Sequence, residues 1–515
     1  MTEPNLPGPE RDILIMRFET WARRSPLRHL MPMAMVFGAI AALAHAPFYL
    51  WPLGLLGLAG LFALFQISAT GKRAFWLGWA GGVGYFAVTL FWIVEPFLVD
   101  FVRHGWMAPF ALIFLSGGLA LFWAAASALA RWSGGRRPLI WVGALTGGEM
   151  LRSYVLTGFP WALIGYVWTP SPAAQHAAFI GPHGLTLLAL IAGVSLWQLA
   201  ARRIIAVPTI LGGVVVLGLG MVLNSPTPPA KDAPLIRMIQ PNAPQHQKWD
   251  PDHVLTFFDR QMEFTAAPPE GARQPNLVVW PETAIPWMLG NADEPLRMIA
   301  AAAGEAPVVL GLRSVDDGRL YNTLVLLDQR GAVAARYDKY HLVPFGEYIP
   351  LGDLAAQFGI HGLAAGEGNG YSSGIGAQLL DLPGIGPALP LICYEAIFPQ
   401  DVRAAPERPR LLLQITNDAW FGRFSGPFQH LQQARMRAIE QGLPLLRVAN
   451  TGVSAMIGPK GEMLERIPLG EAGYADAALP AALPATVYAR TGDWPMLALV
   501  LLLLVPSCLH RLLRR

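Results

Sequence analysis

Two stretches of this chain, residues 1–224 and 494–515, hold nearly all of its long uncharged apolar runs, and the block between them reads as ordinary globular sequence. That division constrains the fold more than any other feature. A helix needs about 20 apolar residues to cross a bilayer, and a helix satisfies every backbone polar group on the way. Runs of this kind lie at 29–46, 50–68, 74–97, 107–130, 138–167, 176–200, 204–223 and 494–511. They predict an α-helical membrane domain of eight spans: seven over 1–224, then a separate domain over 225–493, then an eighth span and tail over 494–515. The chain is 53% hydrophobic and only 14% charged, whereas soluble domains carry roughly 25% charged residues. The block between the spans is still large enough to bury a core of its own.

Basic residues in short loops set the orientation. Arg17, Arg23, Arg24 and Arg28 precede the first span, Lys72 and Arg73 follow the second, and Arg131, Arg136 and Arg137 follow the fourth. Arg202 and Arg203 follow the sixth, and Arg511, Arg514 and Arg515 close the chain. Every second loop is cationic, so both termini are expected in the cytoplasm and the block from about 225 to 493 on the far side. These flanks account for the net charge of +3, and no nucleic-acid partner is expected. Arg23-Arg24 and Ala44-His45-Ala46 imitate an export signal with a cleavage site, but spans continue far beyond them. Of the two cysteines, Cys508 falls in the last span and Cys393 in the central block, which argues against a disulfide framework.

The Pro-rich stretch from Ser225 to Pro229 marks the change to short strand-like pieces alternating with helical ones. Strands are predicted at 235–239, 277–280, 308–312, 323–327, 333–337, 389–393, 411–415 and 444–448, and helices at 253–266, 295–303 and 427–441. This is an α/β pattern. Gly362–Gly376 is Gly- and Ser-rich without periodicity and reads as a lid or plain loop. Glu149 and Arg152, inside the fifth span, are expected to form an ion pair, since charge at that depth is costly. The aromatic run Phe86–Trp92 reads as lipid or interface packing.

Three polar residues stand where strand candidates end: Glu282 after Trp280-Pro281, Lys339 after Tyr337-Asp338, and Cys393 after Leu391-Ile392. Ligands of α/β sheets gather beyond the carboxyl ends of strands, so these side chains can converge. A thiol, a carboxylate base and a fixed ammonium support acyl transfer through a thioester. Singly, each has a plainer reading: a small core cysteine, or a solvated charge.

The surrounding residues decide. Glu282 lies in Val279-Trp280-Pro281-Glu282-Thr283-Ala284, Lys339 in Tyr337-Asp338-Lys339-Tyr340-His341, and Cys393 in Ile392-Cys393-Tyr394-Glu395. In order and interval they resemble the Glu-Lys-Cys triad of the nitrilase, or carbon–nitrogen hydrolase, superfamily, whose fold is an α-β-β-α sandwich. With spans on both sides, the whole chain resembles the membrane-embedded apolipoprotein N-acyltransferase family. Asn417 to Gly422, Arg437 to Glu440 and Asn450 to Ser454 also fit that pattern.

The resemblance implies transfer of a fatty acyl chain from a phospholipid onto Cys393, then to the α-amino group of a diacylglyceryl-cysteine at an apolipoprotein's N-terminus. It implies Glu282 as base, Lys339 at the oxyanion and Cys393 as nucleophile, with Trp249, Glu347, Tyr394 and Glu395 supporting them or binding substrate. It also implies a bacterial inner-membrane location with a periplasmic catalytic domain; a monomer is expected. A membrane-anchored amidase of the same superfamily, or a non-catalytic lipid carrier, are the competing readings. His341 and His430 lack partner ligands at useful spacing and no nucleotide motif is present, so no metal or other cofactor is expected.

Overall fold

Apolar residues all round a helix demand apolar neighbours, and the first part of the chain is accordingly a set of packed helices. The computed structural model describes residues 10–135, 137–201, 206–350 and 370–513. Helices occupy Leu27–Ala42, Trp51–Ile67, Gly71–Thr89, Ala108–Gly134, Pro138–Tyr154, Ala177–Ala200 and Ala206–Leu223, with another at Trp494–Leu513. Small residues let them approach closely: a Cβ on Gly38 or Gly84 would collide with the backbone of Gly81 or Met35. Among the described residues, Phe101–Gly134, Pro172–Ala200 and Trp494–Leu513 are each long and apolar enough to cross a membrane. Gly71–Thr89 and Phe91–Leu98 together make a fourth such unit, bent by 65°. Leu27–Ala42, Trp51–Ile67 and Leu211–Leu223 are apolar but shorter.

The span expected over 138–167 is not one helix: it stops at Tyr154. Arg152 explains the break. Its guanidinium donates to the carbonyls of Phe159 and Trp161, which only a chain released from helical pairing can present. Leu156, Gly158 and Ala162 take positive φ in that segment. Arg152 also meets Glu149 at 2.8 Å, and Trp123 donates to the same carboxylate at 2.8 Å. In the Phe86–Trp92 run Phe91 is exposed, as lipid or interface packing requires, but Phe86 is fully buried and Trp92 packs 4.4 Å from Trp161.

The central block contains twelve strands among the described residues: β1 Leu235–Gln240, β2 Leu277–Val279, β3 Val308–Asp316, β4 Arg319–Leu327, β5 Val333–Asp338 and β6 Leu380–Leu382. The others are β7 Gly386–Ile392, β8 Leu411–Thr416, β9 Leu445–Ala449, β10 Ser454–Ile457, β11 Met463–Ile467 and β12 Gly473–Ala478. They form two six-stranded sheets, ordered β12-β1-β2-β3-β4-β5 and β11-β10-β9-β8-β7-β6.

Alternation along the strands shows how the sheets stack. Ile236, Met238, Leu277, Val279, Leu324 and Leu326 of one sheet share a core with Ile392, Leu411, Leu413, Ile415, Leu446 and Val448 of the other. The alternate residues Val278, Val308, Leu310 and Val325 face outward onto Phe258, Leu296 and Ile299 of helices Val254–Ala266 and Asp293–Ala303. On the opposite side Leu389, Leu391, Leu412 and Leu445 pack on Leu431, Ala434 and Ala438 of helix Gly426–Gln441. The layers are therefore helix, sheet, sheet, helix.

Helix Gly426–Gln441 also joins the block to the apolar helices. Gln429 donates to the carbonyls of Ala46 and Thr89 at 3.1 and 3.0 Å and accepts from Trp161 Nε1 at 2.8 Å. Arg437 pairs with Glu440 at 2.6 Å and donates to Tyr166 Oη at 3.0 Å. Residues 351–369 lie outside the described residues, so most of the expected Gly362–Gly376 lid does too.

Candidate functional site

Cys393 sits where β7 gives way to a short 3-10 turn, with φ of 52°. A non-glycine residue in the left-handed region costs about 1–2 kcal/mol and needs surroundings that hold it there. They do so through its carbonyl: Gln414 Nε2 donates to that oxygen at 3.1 Å, and His430 Nε2 lies 3.1 Å from it. Behind them is a fully buried cluster. Asp418 accepts from Thr416 Oγ1 at 2.9 Å and meets His430 Nδ1 at 3.0 Å, while Arg447 donates to Asp418 and, at 2.7 Å, to Gln414 Oε1. Burial opposes the charge on Asp418, but Arg447, His430 and Thr416 hold its carboxyl down at about 2. Burial and the Arg447 charge push His430 below its usual value, against the pull of Asp418 and of the Cys393 carbonyl.

This cluster yields one prediction. Arg447→Met strands the buried Asp418 and releases Gln414 from its anchor, and breaking a buried pair in this way costs about 3–5 kcal/mol. A thermal unfolding scan in detergent should show a clear drop in midpoint; an unchanged midpoint would contradict this account of the Cys393 turn.

Glu282 and Lys339 come to the same end of the sandwich from the other sheet. Glu282 lies three residues beyond β2, where Thr283 takes φ of 45°. Its Oε1 accepts from Asn322 Nδ2 at 2.7 Å and its Oε2 from the Asn417 amide at 2.7 Å. Lys339 directly follows β5 and sends Nζ to Glu347 Oε1 at 2.8 Å, with Glu282 Oε1 3.8 Å away. Burial opposes the ammonium charge, yet Glu347, Glu282 and Cys393 together carry its pKa above the ordinary lysine value. The Cys393 thiol is pushed well up, by burial first and by Glu282 next, with Lys339 and a hydrogen bond to Thr416 pulling the other way. The thiol therefore rests protonated, between a carboxylate and a fixed cation.

Glu395 ties the two approaches together. Its Oε2 accepts from the Ile392 amide at 2.7 Å, just before Cys393, and its Oε1 from the Tyr340 amide at 2.8 Å, just after Lys339. Tyr337 Oη adds a third bond at 2.8 Å. Burial lifts this carboxyl to about 7 while those donors oppose the rise. Glu347 is held likewise, accepting from the Val343 amide at 2.8 Å and from Asn322 Nδ2 at 3.1 Å. Tyr394 is buried, its ring 5.0 Å from Phe398 and 5.7 Å from His341. Trp249 is 38% exposed, with Lys248 Nζ and Arg313 Cζ 5.1 and 5.2 Å from its ring.

Comparison with known proteins places this geometry. Residues 236–487 match the carbon–nitrogen hydrolase family, and residues 37–195 match the apolipoprotein N-acyltransferase N-terminal domain. The apolipoprotein N-acyltransferase of Rhodopseudomonas palustris is 40% identical over 511 residues, covering 93% of this chain and 94% of the relative. The chain belongs to the apolipoprotein N-acyltransferase family. The member from Bradyrhizobium diazoefficiens is 37% identical over 535 residues, covering 98% of both chains. Among solved structures, an amidase from Nesterenkonia sp. is similar at 22% identity, with a TM-score of 0.37, covering 52% of this chain and 97% of its own.

All seven residues selected from the sequence lie inside the carbon–nitrogen hydrolase match. Glu282, Lys339, Glu347 and Cys393 share one buried network, Glu395 and Tyr394 flank it, and Trp249 stands at its rim. Sequence reading missed Asn322, Lys248 and the Asp418–His430–Arg447 cluster. Asn322 had a signal: an amide beside the buried apolar run Leu324–Leu327 needs a partner. Lys248 stood beside a residue already selected, and it donates to the Glu282 carbonyl at 3.1 Å and to Thr283 Oγ1 at 3.0 Å, holding the turn after the carboxylate. Burial, aided by Arg313, lowers its pKa to about 7, against the pull of Glu282.

Proposed function

We propose that this chain is an N-acyltransferase that moves a fatty acyl chain from a phospholipid to Cys393 and then to the α-amino group of an apolipoprotein's N-terminal diacylglyceryl-cysteine. Family membership supports the activity and its lipoprotein and phospholipid substrates. One observation carries the chemistry: a buried thiol in the combined field of Glu282 and Lys339, whose charged atoms are 3.8 Å apart.

In the first half-reaction Glu282 takes the thiol proton as sulfur attacks the ester carbonyl, forming the C–S bond. Negative charge gathers on the carbonyl oxygen, where the Lys339 ammonium and the Tyr394 amide stabilise it. Collapse breaks the C–O bond, and the protonated Glu282 gives its proton to the departing lysophospholipid alkoxide. In the second half the acceptor amine attacks the thioester, Glu282 takes its proton, and the released thiolate recovers one. Glu347 positions Lys339, Glu395 fixes the spacing of the two strand ends, and Trp249 borders the way in.

The same reading assigns residues 1–224 to a seven-span membrane domain, 225–493 to the catalytic domain, and 494–515 to an eighth helix and tail. The cationic loops support cytoplasmic termini and a periplasmic catalytic domain in the inner membrane of a bacterium. A monomer suffices, since all three central residues come from one chain, and nucleic acid has no part.

Mass spectrometry of the full chain in phospholipid micelles tests this. A fatty acyl adduct should appear on Cys393, persist in water, and be discharged on adding a diacylated lipopeptide that becomes N-acylated. Discharge by water alone would make the protein a hydrolase, and an adduct elsewhere would remove Cys393 from the mechanism.

A further inference from the structure

Arg313 is a cation beside the site, against Trp249. Arg237, Arg336, Arg437 and Arg447 each meet a carboxylate within 3.0 Å, whereas Arg313 has no carboxylate at ion-pair distance among the described residues. Its Nε is buried and has no hydrogen-bond partner among the described residues. A buried donor left unpaired costs about 1–3 kcal/mol, so such a group calls for an explanation. The side chain is not stray: its guanidinium lies over the ring of Trp249 at 5.2 Å.

Register fixes where it points. In the β3–β4 ladder Arg313 stands directly opposite Asn322, and opposed residues of an antiparallel pair project from the same face. Asn322 is the amide that holds Glu282 and Glu347 at 2.7 and 3.1 Å. Arg313, Glu282, Glu347 and Lys339 all act electrostatically on the phenol of Tyr371, which places them around one space. Lys248 Nζ lies 5.1 Å from the same indole.

The two substrates of the proposed reaction differ in charge at this point. The acyl donor carries a phosphodiester a few bonds from the ester to be cleaved; the acceptor carries an α-ammonium group. A guanidinium attracts the first and repels the second, and its planar fork suits phosphate oxygens. We propose that Arg313 binds the phosphodiester of the phospholipid donor and so selects donor over acceptor in the first half-reaction. This rests on the acyl-transfer reading above.

The test compares two donors on the full-length protein in detergent: a diacyl phospholipid, and p-nitrophenyl palmitate, which brings an acyl ester and no phosphate. For Arg313→Gln we expect Cys393 acylation from phospholipid to show a KM raised about 10- to 100-fold. Acylation from the p-nitrophenyl ester should stay at the wild-type rate, and discharge by a diacylated lipopeptide should be as fast as wild type or faster. Arg313→Lys should recover part of the phospholipid KM. Equal losses on both donors would reduce Arg313 to a structural role and overturn the inference, as would no loss on either. Failure of the wild-type protein to form a Cys393 adduct from phospholipid would instead overturn the acyl-transfer reading itself.

Discussion

Cys393→Ala should leave no measurable N-acylation, a loss on the order of 10⁴-fold or more, because the proposed route passes the acyl chain through this sulfur. The variant should still fold. Removing one sulfur from a buried site costs about 1 kcal/mol, and the carbonyl contacts to Gln414 and His430 that hold the turn are backbone contacts, which alanine keeps. Cys393→Ser separates shape from chemistry: the oxygen sits where the sulfur did, but a hydroxyl is a far weaker nucleophile. It should fail as completely. Cys508→Ser, on the final helix, is the matching control and should retain full activity. Labelled acyl transfer from phospholipid to a diacylated peptide, read by gel shift or mass, decides the outcome. More than about 1% residual transfer in the alanine variant would mean the sulfur is not the carrier.

Much of this site was legible in the sequence because chemistry and topology coincide there. Glu282 and Cys393 each follow a buried apolar strand, which announces itself as a continuous apolar run, whereas Lys339 follows the half-exposed edge strand β5. Eight of the strands could be found from the sequence. The missed ones were β6, β10, β11 and β12, three of which are sheet edges: Leu380-Asp381-Leu382 is too short, Met463–Ile467 is largely exposed, and Gly473–Ala478 is Gly, Ala and Asp around a single Tyr474. An edge strand borrows its conformation from its neighbour and needs little propensity of its own.

The helical part shows the opposite limit. Hydropathy located the apolar segments, but it measures only what a stretch could do in hydrocarbon. It could not foresee that Arg152 would bend the chain after Tyr154 to collect the carbonyls of Phe159 and Trp161. Nor could it show that Trp161 would turn toward the catalytic block, where its indole stacks 5.5 Å from His430 and donates to Gln429. The cluster behind Cys393 was hidden for a related reason. Gln414, Asp418, His430 and Arg447 come from separate elements, and no spacing along the chain joins them.

Glu282→Gln should slow acylation of Cys393 by about 10²- to 10⁴-fold, the usual worth of a positioned general base, with little change in the KM for phospholipid. Glutamine has the shape of glutamate but cannot take the thiol proton. It also brings a mismatch, since Asn322 Nδ2 and the Asn417 amide both donate to the present carboxylate and one of them would face an amide nitrogen. Glu347 cannot substitute, because its two oxygens are occupied by Lys339, Asn322 and the Val343 amide. The pH dependence separates base chemistry from simple disruption. Burial and Glu282 hold the Cys393 thiol protonated well above its ordinary range, so a self-ionised thiolate stays scarce between about pH 7 and 9. The wild-type rate, with its proton acceptor built in, should therefore be nearly flat across that window. In the variant only solvent base remains, and the rate should climb with pH as hydroxide becomes available. Single-turnover acylation measured at several pH values checks both points. A variant that kept more than about a tenth of the wild-type rate, or that fell without gaining any pH slope, would show that the thiol gives its proton to some other group.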